Sequence, residues 1–192
     1  MKGPFKYLLH TKSMLEEIAK SLARNHDTKA AALVRKKLYR TPCAIDTGVY
    51  IKNRSNFFAG YGSALYHATY ILNSNGTFSI GNNSHLGAFC YVNVCFGSVD
   101  IGNDVAIGPG TKIIAYSNHY LKGKKVTEER IVGNITIGDN VFVGANCTIL
   151  PDATINDNVV IAAGSIVKGT LESNSIYGGA PCKLIRKGWY NE

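Results

Sequence analysis

The chain has 192 residues, with 21 Lys and Arg against 13 Asp and Glu and a net charge of +8. That length carries one domain with a substantial core, and the basic excess suits a polyanionic ligand, but not nucleic acid, because no RNA- or DNA-binding motif occurs and the aromatics are not interleaved with the basic residues. No run approaches the roughly 18 apolar residues of a membrane span, and MKGPFKYLLHTK is too short and too polar for a secretory signal, so a cytoplasmic protein is expected.

Residues 1–41 differ in pattern from the rest and predict a helical cap. Ser13-Met14-Leu15-Glu16 has the form of a capping box, and Leu15, Ile18 and Leu22 follow as a helical stripe. Asn25-His26-Asp27 interrupts it, and Asp27 or Thr28 can cap a second helix. There Ala30, Ala31, Val34 and Leu38 are expected to face inward, and Arg35, Lys36 and Lys37 outward. Thr41-Pro42 ends the helix. Such a cap is needed where an open end would expose core and unpaired strand edges.

From there to about residue 171 a six-residue beat dominates. Ile45, Ile51 and Phe57 fit a first, irregular coil, residues 58–79 are less regular, and Gly60-Tyr61-Gly62 reads as a turn. Ile80, Leu86 and Val92 then keep time and, after a slip, so do Ile101, Ile107 and Ile113. The longest run is Ile137, Val143, Ile149, Ile155, Ile161 and Val167. A period of six fits neither a helix nor an alternating strand. It predicts a mainly β fold, a left-handed parallel β-helix in which three hexapeptides close one triangular coil. Slim residues four places on (Ser84, Cys90, Val105, Cys147, Ala153) suit a narrow interior. Gly followed by Asn or Asp, as at 81–83, 102–104 and 138–140, suits tight corners. A β-sandwich would instead alternate with period two. Cys90 and Cys147 sit in slim core positions; Cys43, Cys95 and Cys182 follow no metal spacing. No metal is expected.

Two segments stand outside the beat. Residues from about 119 to 136 are surplus to a coil and must leave the prism as a loop, entered through Ser117-Asn118-His119-Tyr120. The loop carries Lys122, Lys124, Lys125 and Arg130 beside Glu128 and Glu129. Loops on a rigid scaffold commonly carry function, and an imidazole is well suited to general-base work near neutral pH. The other segment is the tail, 172–192, where Gly178-Gly179-Ala180-Pro181-Cys182 leads to Lys183, Arg186 and Lys187. These cations could meet phosphates, with Lys168 at the close of the last coil.

Together these segments resemble the hexapeptide-repeat O- and N-acetyltransferases, notably the maltose and galactoside enzymes and those of capsule and O-antigen synthesis. The likeness covers about residues 80–188. It is carried by Tyr116-Ser117-Asn118-His119, by the coil from Ile135 to Ala145, and by Gly164-Ser165-Ile166-Val167 with Gly179-Ala180-Pro181-Cys182-Lys183-Leu184-Ile185-Arg186. The resemblance implies an acetyl-CoA-dependent homotrimer with each active site between two prisms. It implies His119 as general base and Asn93 as the residue nearest the family's acceptor-binding Asn. Ala145 and Ala163 would flank the pantetheine arm, and Lys168, Lys183 and Arg186 the cofactor phosphates. The family's basic residue after the Gly-Ser segment stands one position later than Lys168. A saccharide of surface polysaccharide or sugar-nucleotide type is the acceptor the resemblance implies, with its hydroxyl or amine receiving the acetyl group. The loop's basic residues favour an anionic one.

Two other readings need different features, and a third does not. A γ-class carbonic anhydrase would need three histidines converging on zinc, two of them close in sequence; His67, His85 and His119 are far apart. A non-catalytic scaffold or binding module would need neither His119 nor the basic tail. An acyltransferase for a non-sugar acceptor would share every feature above.

Overall fold

The computed structural model describes residues 26–190 and, before them, Met14, Ile18, Ala19, Ser21 and Ala23. Those five positions are helical; Ser13 and Glu16 of the capping box, with Leu15 and Leu22, lie outside the described residues. A second helix runs Lys29–Tyr39, and the Thr28 side chain caps it by accepting from the Ala31 N–H at 3.1 Å. Its buried face is not the expected one. Ala31, Arg35 and Tyr39 are buried, while Val34 is exposed and Leu38 half-buried. Arg35 can turn inward because backbone carbonyls meet its guanidinium. It donates to Ile45 O at 2.6 Å, to His26 O at 2.9 Å and to Ala23 O. A buried cation so satisfied is tolerable, whereas an unpaired one would not be.

The rest of the chain winds into the left-handed parallel β-helix that the hexapeptide period predicts. Its strands stack in three parallel sheets, one for each face of a triangular prism. The first face carries Ala44–Ile45, Ala64–Leu65, His85–Leu86, Ala106–Ile107, Phe142–Val143, Val159–Ile161 and Ser175–Gly178. The second carries Tyr50–Ile51, Tyr70–Leu72, Tyr91–Asn93, Lys112–Ile114, Thr148–Ile149 and Ile166–Val167. The third carries Phe57–Ala59, Thr77–Ile80, Ser98–Ile101, Asn134–Ile137, Thr154–Ile155 and Thr170–Leu171. Register is strict: Leu65, Leu86, Ile107, Val143 and Ile161 fall on one inward column, all buried. Each beat of the sequence is thus an inward rung, and the stacked rungs form one continuous core.

Asn and Asp work at the edge between the third and first faces. Asn83, Asp104, Asn140, Asn158 and Asn174 take positive φ there, a conformation these residues tolerate. Beside them, Asn103 Oδ1 accepts from Asn82 N at 2.9 Å, and Asp157 Oδ1 accepts from Asp139 N at 2.8 Å. The side chains thus form a second ladder along the edge.

The slip has a geometric cause. Equivalent residues lie 21 apart at Asn82–Asn103 but 18 apart at Asp139–Asp157. The extra residues enlarge the edge between the second and third faces, where 73–76 and 94–97 turn. The third face then gains a second inward residue per strand, as with Phe78 and Ile80, or Val99 and Ile101. Residues 58–79, irregular by period, are an ordinary coil of this longer kind, with Leu65, Ile71 and Phe78 fully buried. The surplus loop also differs from its expected bounds. It is a hairpin of Tyr116–His119 and Glu129–Val132, and Asn134–Ile137 is already back on the third face. Among the described residues no helix is long and apolar enough to cross a membrane.

Candidate active site

The hairpin departs from the edge that the preceding coils enlarge. Ala115 N donates to Asn93 O at 2.9 Å and Gly133 N to Ala115 O at 2.8 Å, which closes its neck. The pairing runs Tyr116↔Val132, Ser117↔Ile131, Asn118↔Arg130 and His119↔Glu129. His119 therefore stands at the far end of a short antiparallel ribbon, half-buried, with its ring 6.2 Å from that of Tyr120. Asn93 sits at the base. Its amide donates to Tyr116 O at 3.0 Å, and its Oδ1 is buried without a partner among the described residues. The structure thus brings Asn93 to the neck of the His119 ribbon. The Phe96 and Tyr116 rings pack 5.4 Å apart beside it.

The loop's cations are partly engaged. Lys124 pairs with Glu129. Arg130 donates to Thr127 O at 2.7 Å and to Glu129 O at 2.9 Å.

Ala145 and Ala163 lie on a different edge, between the first and second faces. Gly164 N donates to Ala145 O at 2.8 Å. The residues along this edge are small where coils touch. A Cβ on Gly108 would come within 2.5 Å of Ala145 N, and one on Gly144 within 2.4 Å of Ala163 N. The result is a slim edge along which a thin, extended ligand can lie against backbone.

The edge ends at the tail. Ser175–Gly178 completes the first face and turns through a cis Ala180–Pro181 bond. Lys183–Lys187 then returns antiparallel to it, with Gly178↔Lys183 and Ile176↔Arg186 in register. Cys182 N donates to Ile166 O at 2.9 Å, anchoring the turn to the second face. Lys183 thus stands at the carboxyl end of the small-residue edge, and Arg186, opposite Ile176, lies further back across the first face. Lys187 is held by Glu172, whose hydrogen bond raises the lysine's pKa and lowers its own. Lys168 is elsewhere. It follows Ile166–Val167 on the edge between second and third faces, the hairpin's edge, and not beside Ala145 and Ala163.

Four of the cysteines are unsuited to attack. Burial pushes the Cys90 thiol up to about 11 and raises Cys43, Cys147 and Cys182 as well, so these four stay protonated at neutral pH.

One feature escaped the sequence. A groove of about 610 Å³ continues the Ala145 edge toward the amino-terminal coils, lined among others by Asp46, Tyr66, His67, His85, Pro109 and Phe142. His67 and His85 share it, while His119 stands on another edge. A signal existed: Tyr66-His67 and His85 fall in consecutive coils, but only the register puts them together.

Two family models match the chain: "Bacterial transferase hexapeptide (six repeats)" over residues 134–169, and "Hexapeptide repeat of succinyl-transferase" over 78–115. The chain is similar to the galactoside O-acetyltransferase of Escherichia coli K12, with 36% identity over 115 residues. The match spans 57% of this chain and 57% of that protein's length. Among solved structures it is similar to a maltose O-acetyltransferase from Clostridium difficile 630, with TM-score 0.62, 22% identity, 90% of this chain and 85% of that one. It is also similar to AntD, an N-acyltransferase from Bacillus cereus in complex with dTDP and 3-hydroxybutyryl-CoA. There the TM-score is 0.66 at 20% identity, over 76% of this chain and 79% of that one. At these identities the structural likenesses establish the fold.

Proposed function

From the chain's membership of the hexapeptide-repeat acetyltransferase family, we propose that it is an acetyl-CoA-dependent acetyltransferase whose acceptor is a hydroxyl or amine of a saccharide. The relatives above are named for galactoside or maltose, or are in complex with dTDP and an acyl-CoA. His119 takes the proton from the acceptor as its oxygen or nitrogen attacks the thioester carbonyl. The new C–O or C–N bond forms, the C–S bond breaks, and the imidazolium returns the proton to the departing thiolate. General-base help of this kind contributes about 10²–10⁴-fold. Asn93, fixed at the neck of the ribbon, keeps one buried amide oxygen for the acceptor or its proton. No covalent enzyme intermediate is needed, in keeping with the raised cysteines.

The small-residue edge fits the pantetheine arm, because Gly108, Gly144, Ala145 and Ala163 leave backbone accessible to a thin chain. Lys183 and Arg186 would meet the phosphates at its end, with Lys168 supplied from the other edge. Backbone N–H groups of a neighbouring coil would face the developing oxyanion.

The observation that carries this reading is the placement of the two halves. His119 and the Ala145–Ala163 edge lie on opposite sides of the second face, so a site containing both is best made by two copies. The faces support a homotrimer. Outward residues of the first face are Ala44, Ala64, Ala106, Phe142, Val160 and Ile176, apart from His85. Those of the third are Phe58, then Ser79, Asp100, Thr136, Thr154 and Thr170. The apolar face is the one expected between copies.

The test is calorimetric titration of acetyl-CoA into wild type and a Lys183→Ala/Arg186→Ala variant, followed by mixing that variant with His119→Ala after joint refolding. Wild-type binding weakened about tenfold or more, and activity regained in the mixture, supports the reading. No binding by folded protein overturns the donor, and no regained activity overturns the shared site.

A further inference from the structure

The net charge of the chain is not spread along it. Residues 1–41 hold 10 Lys and Arg against 3 Asp and Glu, so they carry +7 of the net +8 and the rest of the chain only +1. The excess of positive charge is thus mainly a property of the amino-terminal cap, and not of the hairpin or the tail. The cap helix lies against Ala44–Ile45, the first strand of the first face, at the amino-terminal end of the prism. Ser175–Gly178, which leads into the cationic tail, is six strands further along that face. At the usual strand spacing that is roughly 30 Å away.

The helix Lys29–Tyr39 shows how that charge is presented. It buries Ala31, Arg35 and Tyr39. Leu33 falls at the centre of the opposite side, with Lys29, Lys36 and Lys37 within about 60° of it around the helix axis, and Arg40 follows at the C-cap. Leu33 is 70% exposed, and all four cations are exposed around it. Val34 is exposed on the flank. In the preceding helical residues Met14 and Ile18, four apart and so on one face, are exposed too.

A single exposed Leu needs no explanation, but long aliphatic side chains standing in water among cations have a definite complement. An anionic bilayer meets both halves of the pattern. The cations sit at headgroup level with their stems along apolar surface, and the aliphatic tips reach the acyl boundary. A second copy of the same surface would bring like charges together. Nucleic acid would use the charge but not the aliphatic side chains, and among the described residues of the cap no Phe, Tyr or Trp is exposed for a base to stack on. Copies packed through their prism faces about a cyclic axis present their caps at one end, so a trimer offers three such surfaces to one bilayer.

We propose that the amino-terminal cap is a docking surface for an anionic lipid bilayer, with Leu33 and Ile18 as apolar contacts and Lys29, Lys36, Lys37 and Arg40 as headgroup contacts. This goes beyond the transferase reading and does not depend on it. The surface lies at the end of the prism away from Lys183, and it holds the protein at a lipid surface without entering the chemistry. Attraction of this kind is worth roughly fivefold in partitioning per cation, and salt weakens it.

The experiment is flotation of the full chain with vesicles of phosphatidylcholine alone, and of phosphatidylcholine mixed equally with phosphatidylglycerol, at low and at raised salt. The variants are Lys29→Gln/Lys36→Gln/Lys37→Gln, Leu33→Ser and, as the hairpin control, Lys122→Gln/Lys125→Gln. Every changed side chain is exposed, so the melting temperature should not move. Wild type is expected to float with the mixed vesicles at low salt and not with phosphatidylcholine alone. The triple variant should lower partitioning at least about tenfold, Leu33→Ser by several-fold, and the hairpin control should stay within about twofold of wild type. The docking is overturned if folded wild type does not float with the mixed vesicles, or floats equally with phosphatidylcholine alone. It is overturned if the triple variant floats as wild type does, or if the hairpin control loses as much. Leu33→Ser floating as wild type does would make the surface a general polyanion site, and a changed sedimentation coefficient of the triple variant without lipid would make it a contact between copies; either result overturns the lipid assignment. Should the triple variant fold poorly, salt tests the same charges in wild type, and flotation that raised salt does not weaken overturns the docking.

Discussion

The two edges that border the second face reach chemical use by opposite routes. On the hairpin edge the chain adds residues. Coils lengthen by three, then the strand leaves the prism altogether and carries His119 out on a ribbon closed at its neck by Asn93 and Gly133. On the Ala145 edge the chain removes atoms. Successive coils touch through Gly108, Gly144, Ala145 and Ala163, and a single Cβ would be too much. Added length gives a projecting, solvated support for a proton-transfer group. Subtracted bulk gives a rigid track. A substitution on the ribbon should therefore damage chemistry and spare the fold, while one on the track should damage both.

The sharpest way to break this contrast is His119→Ala. Activity should fall about 10²–10⁴-fold, equivalent to roughly 3–5 kcal/mol of transition-state stabilisation. The calorimetric melting temperature should stay where it is, because His119 lies outside the core cluster. A lowered melting temperature would show that the ribbon supports the prism.

Glycines test the same contrast through stability. Gly144→Ala places its Cβ 2.4 Å from Ala163 N, a backbone atom that cannot rotate away. Overpacking of this kind costs about 1–3 kcal/mol, and the separated coils should also lose acetyl-CoA affinity. Gly123→Ala in the hairpin turn meets nothing within 4 Å and bears only its φ of +81°. That is about 1–2 kcal/mol of local strain, which should loosen the turn in hydrogen exchange and leave the denaturant midpoint of the prism alone. Equal global losses would contradict the division between ribbon and track.

The smallest effect belongs to the tail, where the track ends. Lys187 depresses the Glu172 pKa, so the pair's contribution is present above the ordinary carboxylate range and lost as pH falls through the depressed value. Glu172 raises the Lys187 pKa, so the contribution is also present below the ordinary lysine range and lost as pH rises through the raised value. Both groups are exposed, and such pairs add little to global stability. Amide exchange across Lys183–Lys187 should be slowest between those limits, and Glu172→Gln should flatten the profile. A profile unchanged by Glu172→Gln would mean that the backbone pairing with Ser175–Gly178 alone holds the strand.

Much of this architecture is legible from residue order. The rungs Val143, Ile149, Ile155 and Ile161 repeat every six residues because each hexapeptide presents one inward side chain, so the period and the fold are one fact. The surplus near His119 is legible because a coil of fixed length cannot absorb it. Residues 58–79 look irregular only because two inward residues on the third face shift the count. The helical pattern puts Arg35 on the wrong side because its acceptors, carbonyls at 23, 26 and 45, belong to other segments and carry no side-chain signature.

The sequence by itself determined the coil, its corners, the presence of a surplus loop and the cationic tail, since each follows from local pattern and from the inward repeat. Only the tertiary structure decided which edge each feature occupies. It put Lys168 on the edge of His119, Ala145 and Ala163 on another, and gathered Tyr66, His67, His85 and Phe142 into one groove. The reason is that the number of residues per coil varies, from 21 to 18. Position around the prism is the running sum of those lengths, and it is settled only when strand pairing fixes the register of every coil against the next.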